Sequence, residues 1–259
     1  MLYLINPFRL AKKKGWAKTS KRDRKRIFEF LEQYLGARGW GRSILEGAAV
    51  DLDGPVPWYT YPAIRELERV VPKSAKVFEF GSGNSTLWWR QHAEQVISVE
   101  HDAEWFASSN TNSESDIHLR EPWDTKNEAL FDQVQSVLDQ IPELETPLSD
   151  KIRIARGVDA KPFLSYVAEL LKHPKEHFDV IIVDGMARSA CARVAVDRLK
   201  PDGFIVFDNS DRDEYADAYQ FLIDAGFARI NYWGPGPINP YEWCTSIFTR
   251  SLDCFRGTH

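Results

Sequence analysis

The strongest indication of the fold is the segment Val77-Phe-Glu79-Phe-Gly81-Ser-Gly83-Asn-Ser85-Thr86. Residues 76–80 form an apolar run typical of a short strand, two glycines follow at once, and a helical segment begins directly after them. A strand, a glycine-rich turn and a helix in this order predict one unit of an open α/β sheet. Ligands of such sheets bind outside the carboxyl ends of the strands, so the turn marks a candidate binding site.

The alternation of strand and helix continues along the rest of the chain. Short apolar runs predict six further strands, and segments of helical spacing predict the helices between them. The sequence therefore predicts a doubly wound α/β sheet with helices on both faces. The predicted strands after residue 80 are 95–99, 152–155, 178–183, 204–207, 228–232 and 245–249, and the predicted helices are 27–35, 62–71, 161–171, 189–199 and 215–225.

The residues around the two glycines narrow the type of ligand. Gly81 and Gly83 permit a sharp turn and a close approach of the backbone to a ligand. A dinucleotide-binding fingerprint needs a third small residue where Thr86 stands, and pyrophosphate binding does not explain the acid at Glu79. A carboxylate there can instead hold water or a cationic amino-acid group. No Lys-Ser/Thr pair follows the glycines, which excludes a P-loop.

An acidic residue followed by Gly-x-Gly and then Ser or Thr resembles the first motif of the class I S-adenosylmethionine (SAM)-dependent methyltransferases. The resemblance covers residues 74–250, and segments 57–62, 80–89 and 98–102 resemble a bacterial, functionally unassigned branch of that superfamily. It implies a Rossmann-like, seven-stranded, mostly parallel sheet whose last strand is antiparallel. It also implies SAM as the cofactor, with a set of contacts in and beside the turn: Glu79, Gly81, Gly83, Ser85 and Thr86.

Three acids at strand ends extend the candidate cofactor site. Glu100 ends the second predicted strand, 19 residues after Gly81, where an acid can accept hydrogen bonds from both ribose hydroxyls. Asp159 follows the third predicted strand; the resemblance implies a contact with the adenine amino group, and a helix N-cap explains this residue equally well. Asp184 ends the most apolar strand, so its side chain is expected to face the ligand crevice.

The reacting groups are expected at two neighbouring strand ends. Methyl transfer to oxygen needs a base or a metal to deal with the acceptor's proton. Asp184 closes one strand and Asp208-Asn209 closes the next. The resemblance to divalent-metal catechol-type O-methyltransferases, which carry an acid and an acid–amide pair at these places, implies that Asp184, Asp208 and Asn209 hold Mg²⁺ or another divalent cation. Asp184, Asp208 and His101 are also the candidate catalytic residues, with helix capping and packing under the cofactor as the alternatives for the last two.

Aromatic residues and one arginine are candidate substrate contacts. Trp58, Tyr59 and Tyr61 precede the first helix of the predicted domain, in a segment that folds over the cofactor in this superfamily. Aromatic faces there could cover the positive sulfonium, or the rings could be core. Arg188 follows Asp184 and suits a carboxylate or phosphate group, or a salt bridge at a helix start.

Composition and charge limit the class of protein. A chain of 259 residues with 43% apolar and 27% charged residues fits one large domain with an appendage. We predict a basic, helical N-terminal appendage over 1–55 and a SAM-binding domain over 56–259, with an insertion at about 107–150. Residues 1–26 hold ten Lys/Arg and one acid, whereas the remainder holds 23 bases and 37 acids. The acidic body argues against nucleic acid as a partner, and the basic segment either contacts an anionic surface peripherally or is solvated.

No apolar stretch approaches the roughly 18 residues of a membrane span, and the N-terminal residues lack the order of a secretory signal. The three cysteines have no paired spacing, which favours a cytoplasmic location. The function expected from the resemblance is SAM-dependent methylation, directed at oxygen in a small-molecule or glycan acceptor. The alternatives are an NAD-dependent oxidoreductase, although no Tyr-x-x-x-Lys pair is present, and a non-catalytic Rossmann-like binding protein. The oligomeric state is left open.

Overall fold

A seven-stranded sheet organises the protein, and the computed structural model describes residues 20–109, 116–122 and 161–255. The strand order is β3-β2-β1-β4-β5-β7-β6. β7 runs antiparallel to both of its neighbours, and the other described pairs are parallel. The strands are β1 (Lys76–Phe80), β2 (Gln95–Glu100), β3 (Ile117–Leu119), β4 (Phe178–Val183), β5 (Leu199–Phe207), β6 (Ala228–Gly234) and β7 (Trp243–Thr249). The predicted fold class, a doubly wound, mostly parallel sheet with an antiparallel last strand, is confirmed.

Helices cover both faces of this sheet, because its central strands are apolar on both sides. Successive side chains of a strand point to opposite faces. On β4, Ile181 and Val183 belong to one buried cluster and Val180 and Ile182 to the other. The α-helices are α1 (Lys21–Phe30), α2 (Trp40–Glu46), α3 (Tyr61–Val70), α4 (Asn84–His92), α5 (Ala103–Ser109), α6 (Leu164–Ala168), α7 (Arg188–Ala195) and α8 (Ala216–Asp224).

The structure describes one strand that the sequence did not predict. The strand that pairs with β2 is Ile117–Leu119, inside the stretch predicted as an insertion. It has only three residues, all half-buried, so it carries no apolar run that a sequence pattern would reveal. The predicted strand at 152–155 lies outside the described residues, as does most of the predicted insertion.

The second half of the N-terminal segment packs against the core of the sheet domain. α1 has no buried residue, and the chain stays helical through Gly36 before it turns at Gly39, which has a φ of 70°. A side chain at Gly39 would not fit, because an added Cβ would lie 2.4 Å from the Cα of Asp51. Ala49 and Val56 pack in the same buried cluster as Leu67 and Val77. Residues on both sides of the predicted boundary at 55 therefore share one core.

Among the described residues, no helix is long and apolar enough to cross a membrane. Cys191 and Cys244 are buried free thiols.

Candidate active site

The turn between β1 and α4 bends at two glycines. Gly81 has a φ of 114° and Gly83 a φ of 149°, which residues with a side chain rarely adopt. The N–H of Gly81 donates to the carbonyl of Val99 on β2 at 2.9 Å. On its other side Gly81 lies against Gly185, where an added Cβ would be 3.6 Å from the Gly185 Cα. The ends of β1 and β4 therefore approach each other through bare backbone, and both glycines line the same crevice.

The buried carboxylate of Glu79 stabilises this turn. It is 1% exposed and accepts hydrogen bonds from three hydroxyl groups. Ser85 and Thr86 donate from the first turn of α4, and Ser98 donates from β2 at 2.8 Å. The Thr86 hydroxyl also accepts the N–H of Gly83 at 3.1 Å, which ties the turn to the carboxylate. Burial raises the pKa of Glu79, and the three hydroxyl contacts only partly offset this rise.

Glu100, the last residue of β2, carries a carboxylate that its neighbours orient. The Ser82 hydroxyl donates to Oε2 at 2.8 Å, and the N–H groups of His101 and Asp102 donate to Oε1 at 2.7 and 3.0 Å. Burial raises the pKa of Glu100, but contacts with His101, Asp102 and Ser82 outweigh it and hold the pKa below its ordinary value. Glu100 is therefore an ionised hydrogen-bond acceptor at neutral pH. Nδ1 of His101 lies 2.9 Å from Oε1, so the structure places His101 beside Glu100.

These groups border one crevice of about 300 Å³, a size within the range of small-molecule sites. Sequence reasoning missed Trp105, which reaches the crevice from α5. Its Nε1 donates to the carbonyl of Ser82 at 2.7 Å, and a Cβ added to Gly83 would lie 3.2 Å from its ring. Trp105 is 52% exposed, so nothing in the sequence separates it from an ordinary surface ring. The crevice is lined by Glu79, Gly81, Ser82, Ser85, Glu100, His101, Asp102, Trp105, Asp184 and Gly185.

Arg188 bridges the ends of β4 and β5. These strands are neighbours, because Val183 pairs with Phe207. Nη2 of Arg188 lies 3.0 Å from both the carbonyl oxygen and Oδ1 of Asp184, and Nη1 donates to the carbonyl of Asp208 at 2.6 Å. The Arg188 side chain is 10% exposed and is not among the residues that line the crevice. The structure therefore turns it toward protein oxygens, in the salt-bridge arrangement that was the alternative to an acceptor contact.

Asp184 faces the crevice, and its side chain is 22% exposed. Burial raises the pKa of Asp184 well above its ordinary value. The positive charge of Arg188 opposes this rise, whereas the negative charges of Asp208 and Glu79 add to it. A carboxylate that a ligand can reach and whose pKa is raised by burial is a candidate general base.

Asp208 is held inside the protein. It is 2% exposed, and its Oδ1 accepts hydrogen bonds from Trp243 Nε1 at 3.0 Å and Thr245 Oγ1 at 2.5 Å. The Thr245 hydroxyl also accepts the N–H of Thr60 at 3.1 Å, so this carboxylate connects β5, β7 and the segment before α3. Burial raises the pKa of Asp208, against the opposing charge of Arg188. The sequence did not predict that Trp243 and Thr245 contact Asp208, because the pairing of β7 with β5 brings them to this carboxylate.

A divalent cation does not fit these residues. Oδ1 of Asp208 already accepts two hydrogen bonds, and the guanidinium of Arg188 already contacts oxygens at both strand ends. Asn209 has a φ of 51°, in the left-handed region that asparagine tolerates. Within the ranges that the structure describes, no three His, Cys, Asp or Glu side chains form a group that could hold a metal ion. The metal site predicted at Asp184, Asp208 and Asn209 finds no support in this geometry.

The three aromatic residues at the start of α3 have different surroundings. Tyr59 is fully buried and close enough to Asp184, Glu79 and Asp208 for their charges to raise its pKa, in addition to the larger effect of burial. Tyr61 is 5% exposed and borders a second cavity beside α3, and Trp58 is 46% exposed. Only Tyr59 is thus brought to the acidic groups of the crevice. Asp159 lies outside the described residues.

Comparison of the sequence with protein-family models and with curated proteins gives no match. Three solved structures illustrate the structural likeness. Spermidine synthase from Thermotoga maritima is 14% identical with a TM-score of 0.41, and the match covers 74% of this chain but only 58% of that protein. Precorrin-6y C5,15-methyltransferase from Geobacter metallireducens is 13% identical (TM-score 0.44, 73% and 87% covered). Ribosomal protein L11 methylase from Lactobacillus delbrueckii subsp. bulgaricus is 15% identical (TM-score 0.43, 73% and 77% covered). Likeness at this level carries no argument about activity.

Proposed function

We propose that this chain is a SAM-dependent methyltransferase that acts on oxygen in a small-molecule or glycan acceptor. The observation that carries the proposal is the Glu100 carboxylate, ionised and oriented at the end of β2 beside the Gly81–Gly83 turn. An acceptor-only group at this place suits two ribose hydroxyls, and the bare backbone of the turn suits the close approach of the rest of the cofactor.

Residues that line the crevice would hold the cofactor. Glu100 would accept the ribose hydroxyls, and the turn, braced by Glu79 through Ser85 and Thr86, would keep its shape around the amino-acid part. Trp105 would cover the open side of the crevice, because its ring already lies over Gly83. The bound cofactor would supply an electrophilic methyl group on a sulfonium, so the protein's task is orientation and electrostatics.

The acceptor would enter on the side of Asp184. Its carboxylate lines the crevice, and burial raises its pKa, so it is suited to take the proton of a hydroxyl group as methyl transfer proceeds. Asp208 is hydrogen-bonded inside the protein and would keep Asp184 basic by its nearby charge. His101 lies beside Glu100, and a role for it next to the ribose fits this position better than a role as base. No step depends on a metal.

Transfer of radiolabelled methyl groups from SAM to a panel of acceptors tests this proposal. The panel holds catechols, sugars and matched amines, and the comparison variant is Asp184→Asn. We expect label on hydroxyl-bearing acceptors and a rate at least about 100-fold lower in the variant, the usual effect of losing a general base. Label only on amines would contradict the oxygen preference, and an unchanged rate in Asp184→Asn would contradict the assignment of the base.

A further inference from the structure

We propose that Arg188 is the fixed cation of the acceptor side and occupies the place between Asp184 and Asp208 for which the sequence predicts a divalent metal ion. The proposal rests on the proposed function for its catalytic meaning. Its structural content, a guanidinium in place of a metal ion, can be tested independently. Arg188 is a positioning residue, because it acts on the acceptor only through Asp184.

The contacts of the guanidinium resemble the ligands of a hard cation. All three nitrogens face oxygen atoms of the two strand ends: Nε faces the Gly185 carbonyl at 3.0 Å, Nη1 the Asp208 carbonyl at 2.6 Å, and Nη2 the carbonyl and Oδ1 of Asp184 at 3.0 Å. Carboxylate and carbonyl oxygens are also the ligands that Mg²⁺ and Ca²⁺ prefer. Arg188 therefore satisfies, with five fixed donors and a permanent charge, oxygens that would otherwise attract such an ion.

The backbone is bent to bring Arg188 to this place. Ala187, the residue before α7, has a φ of 49° and a ψ of 39°, a left-handed conformation that is unfavourable for alanine. The turn makes Arg188 the first residue of α7 and directs its side chain back across the strand ends. Such a conformation persists only where the surrounding contacts hold it. Here the carbonyl of Ala187 accepts the N–H groups of Ala190 and Cys191, its side chain packs against the core, and the Arg188 guanidinium contacts the strand ends.

The bridge matters because two acids lie close together at these strand ends, the buried Asp208 and the partly exposed Asp184. Asp184 and Asp208 follow paired positions of β4 and β5, and both are largely shielded from water. Two carboxylates in such a place repel one another unless a positive charge lies near both. Arg188 supplies that positive charge as part of the chain and contacts Oδ1 of Asp184. The orientation of this carboxylate therefore does not depend on a bound metal ion.

Binding of Mn²⁺ followed by electron paramagnetic resonance tests the inference in the intact chain. Removal of the side chain in Arg188→Ala leaves the oxygens of Asp184, Gly185 and Asp208 without their cation. We expect only weak, nonspecific Mn²⁺ binding by the unaltered protein. The Mn²⁺ affinity of Arg188→Ala should be at least tenfold higher than that weak affinity. Arg193→Ala is the matched control, since Arg193 lies on the same helix and pairs with Asp217 at 3.3 Å, away from the strand ends. It should behave like the unaltered protein.

Two further variants keep the test decisive. Arg188→Lys retains a positive charge and should not gain the ion, whereas Arg188→Met removes the charge, keeps most of the apolar stem and should gain it even if Arg188→Ala does not fold. Specific Mn²⁺ binding by the unaltered protein, or no gain in a folded charge-free variant, would overturn the inference. Binding of S-adenosylhomocysteine, measured on the same samples, reports separately on the proposed function, so the two can fail independently.

Discussion

Thr86→Val removes one hydroxyl group from the centre of the cofactor turn and keeps the size of the side chain. Thr86 is 1% exposed, donates to Oε2 of Glu79 at 2.5 Å and accepts the N–H of Gly83 at 3.1 Å. A hydrogen bond to a charged group contributes about 1.5–3 kcal/mol, and an unpaired N–H at a half-buried glycine costs about 1 kcal/mol. The free energy of unfolding should therefore fall by about 3 kcal/mol.

A loss of that size lowers the melting temperature of a protein of this length by about 6–12 °C. Thr86→Ser is the matched control, since it keeps the hydroxyl and loses one methyl group, at a cost of about 1 kcal/mol. Thermal unfolding by calorimetry and titration with SAM compare the two variants. We expect Thr86→Val to lose more stability and more SAM affinity than Thr86→Ser. Equal values for both variants would refute the view that Thr86 ties the turn to Glu79.

Three further predictions concern the proposed ribose contact of Glu100, the packing around Gly185 and the stability at low pH. Glu100→Gln should weaken SAM binding about 30- to 100-fold by calorimetry, because a charged acceptor of two hydrogen bonds is lost, while the exposed Glu104→Gln should bind normally. Gly185→Ala should cost about 2–3 kcal/mol in denaturant unfolding, because its Cβ would lie 2.0 Å from a buried tyrosine hydroxyl oxygen and 3.0 Å from a backbone carbonyl. Gly41→Ala, where no atom of the described residues lies within 4 Å of the added Cβ, should be neutral or stabilising, and equal losses at both glycines would contradict this reasoning. Burial raises the pKa of Glu169, but Lys172 and Arg120 lower it by more, so the pKa lies below its ordinary value. The ionised carboxylate therefore stabilises the fold at neutral pH, and this contribution disappears as the pH falls through the lowered pKa. Glu169→Gln should therefore lower the melting temperature at pH 7, with a difference that shrinks as acid protonates Glu169, and a difference independent of pH would contradict it.

The sheet was predictable because burial leaves a strong pattern in the sequence. β1 and β4 have the predicted bounds, since both are apolar runs buried on two faces. The short edge strand β3 was not predictable, because its residues Ile117–Leu119 are half-buried and one of them is a histidine. The edge of a sheet needs less apolar surface than its centre, and the pattern weakens accordingly.

The acids of the candidate site were predictable from their place at strand ends, but their partners were not. Glu79, Glu100 and Asp184 line the same crevice because parallel strands end at one edge of the sheet. The hydrogen bond from Thr245 to Asp208 joins residues far apart in sequence and depends on the register of β7 against β5. The inward direction of Arg188 depends on the left-handed conformation of Ala187, an alanine that gives no sequence signal for it. A sequence pattern indicates which residues are near a strand end, whereas tertiary pairing decides what each of them contacts.

Calorimetric titration of the protein with SAM, S-adenosylhomocysteine and NAD in parallel shows whether this crevice is a SAM site. The oriented carboxylate of Glu100 beside the glycine turn predicts micromolar binding of the first two compounds and no binding of NAD. Binding of NAD alone would contradict the account of Glu79, Thr86 and Glu100, and no binding of any of the three would contradict the assignment of this crevice as a cofactor site.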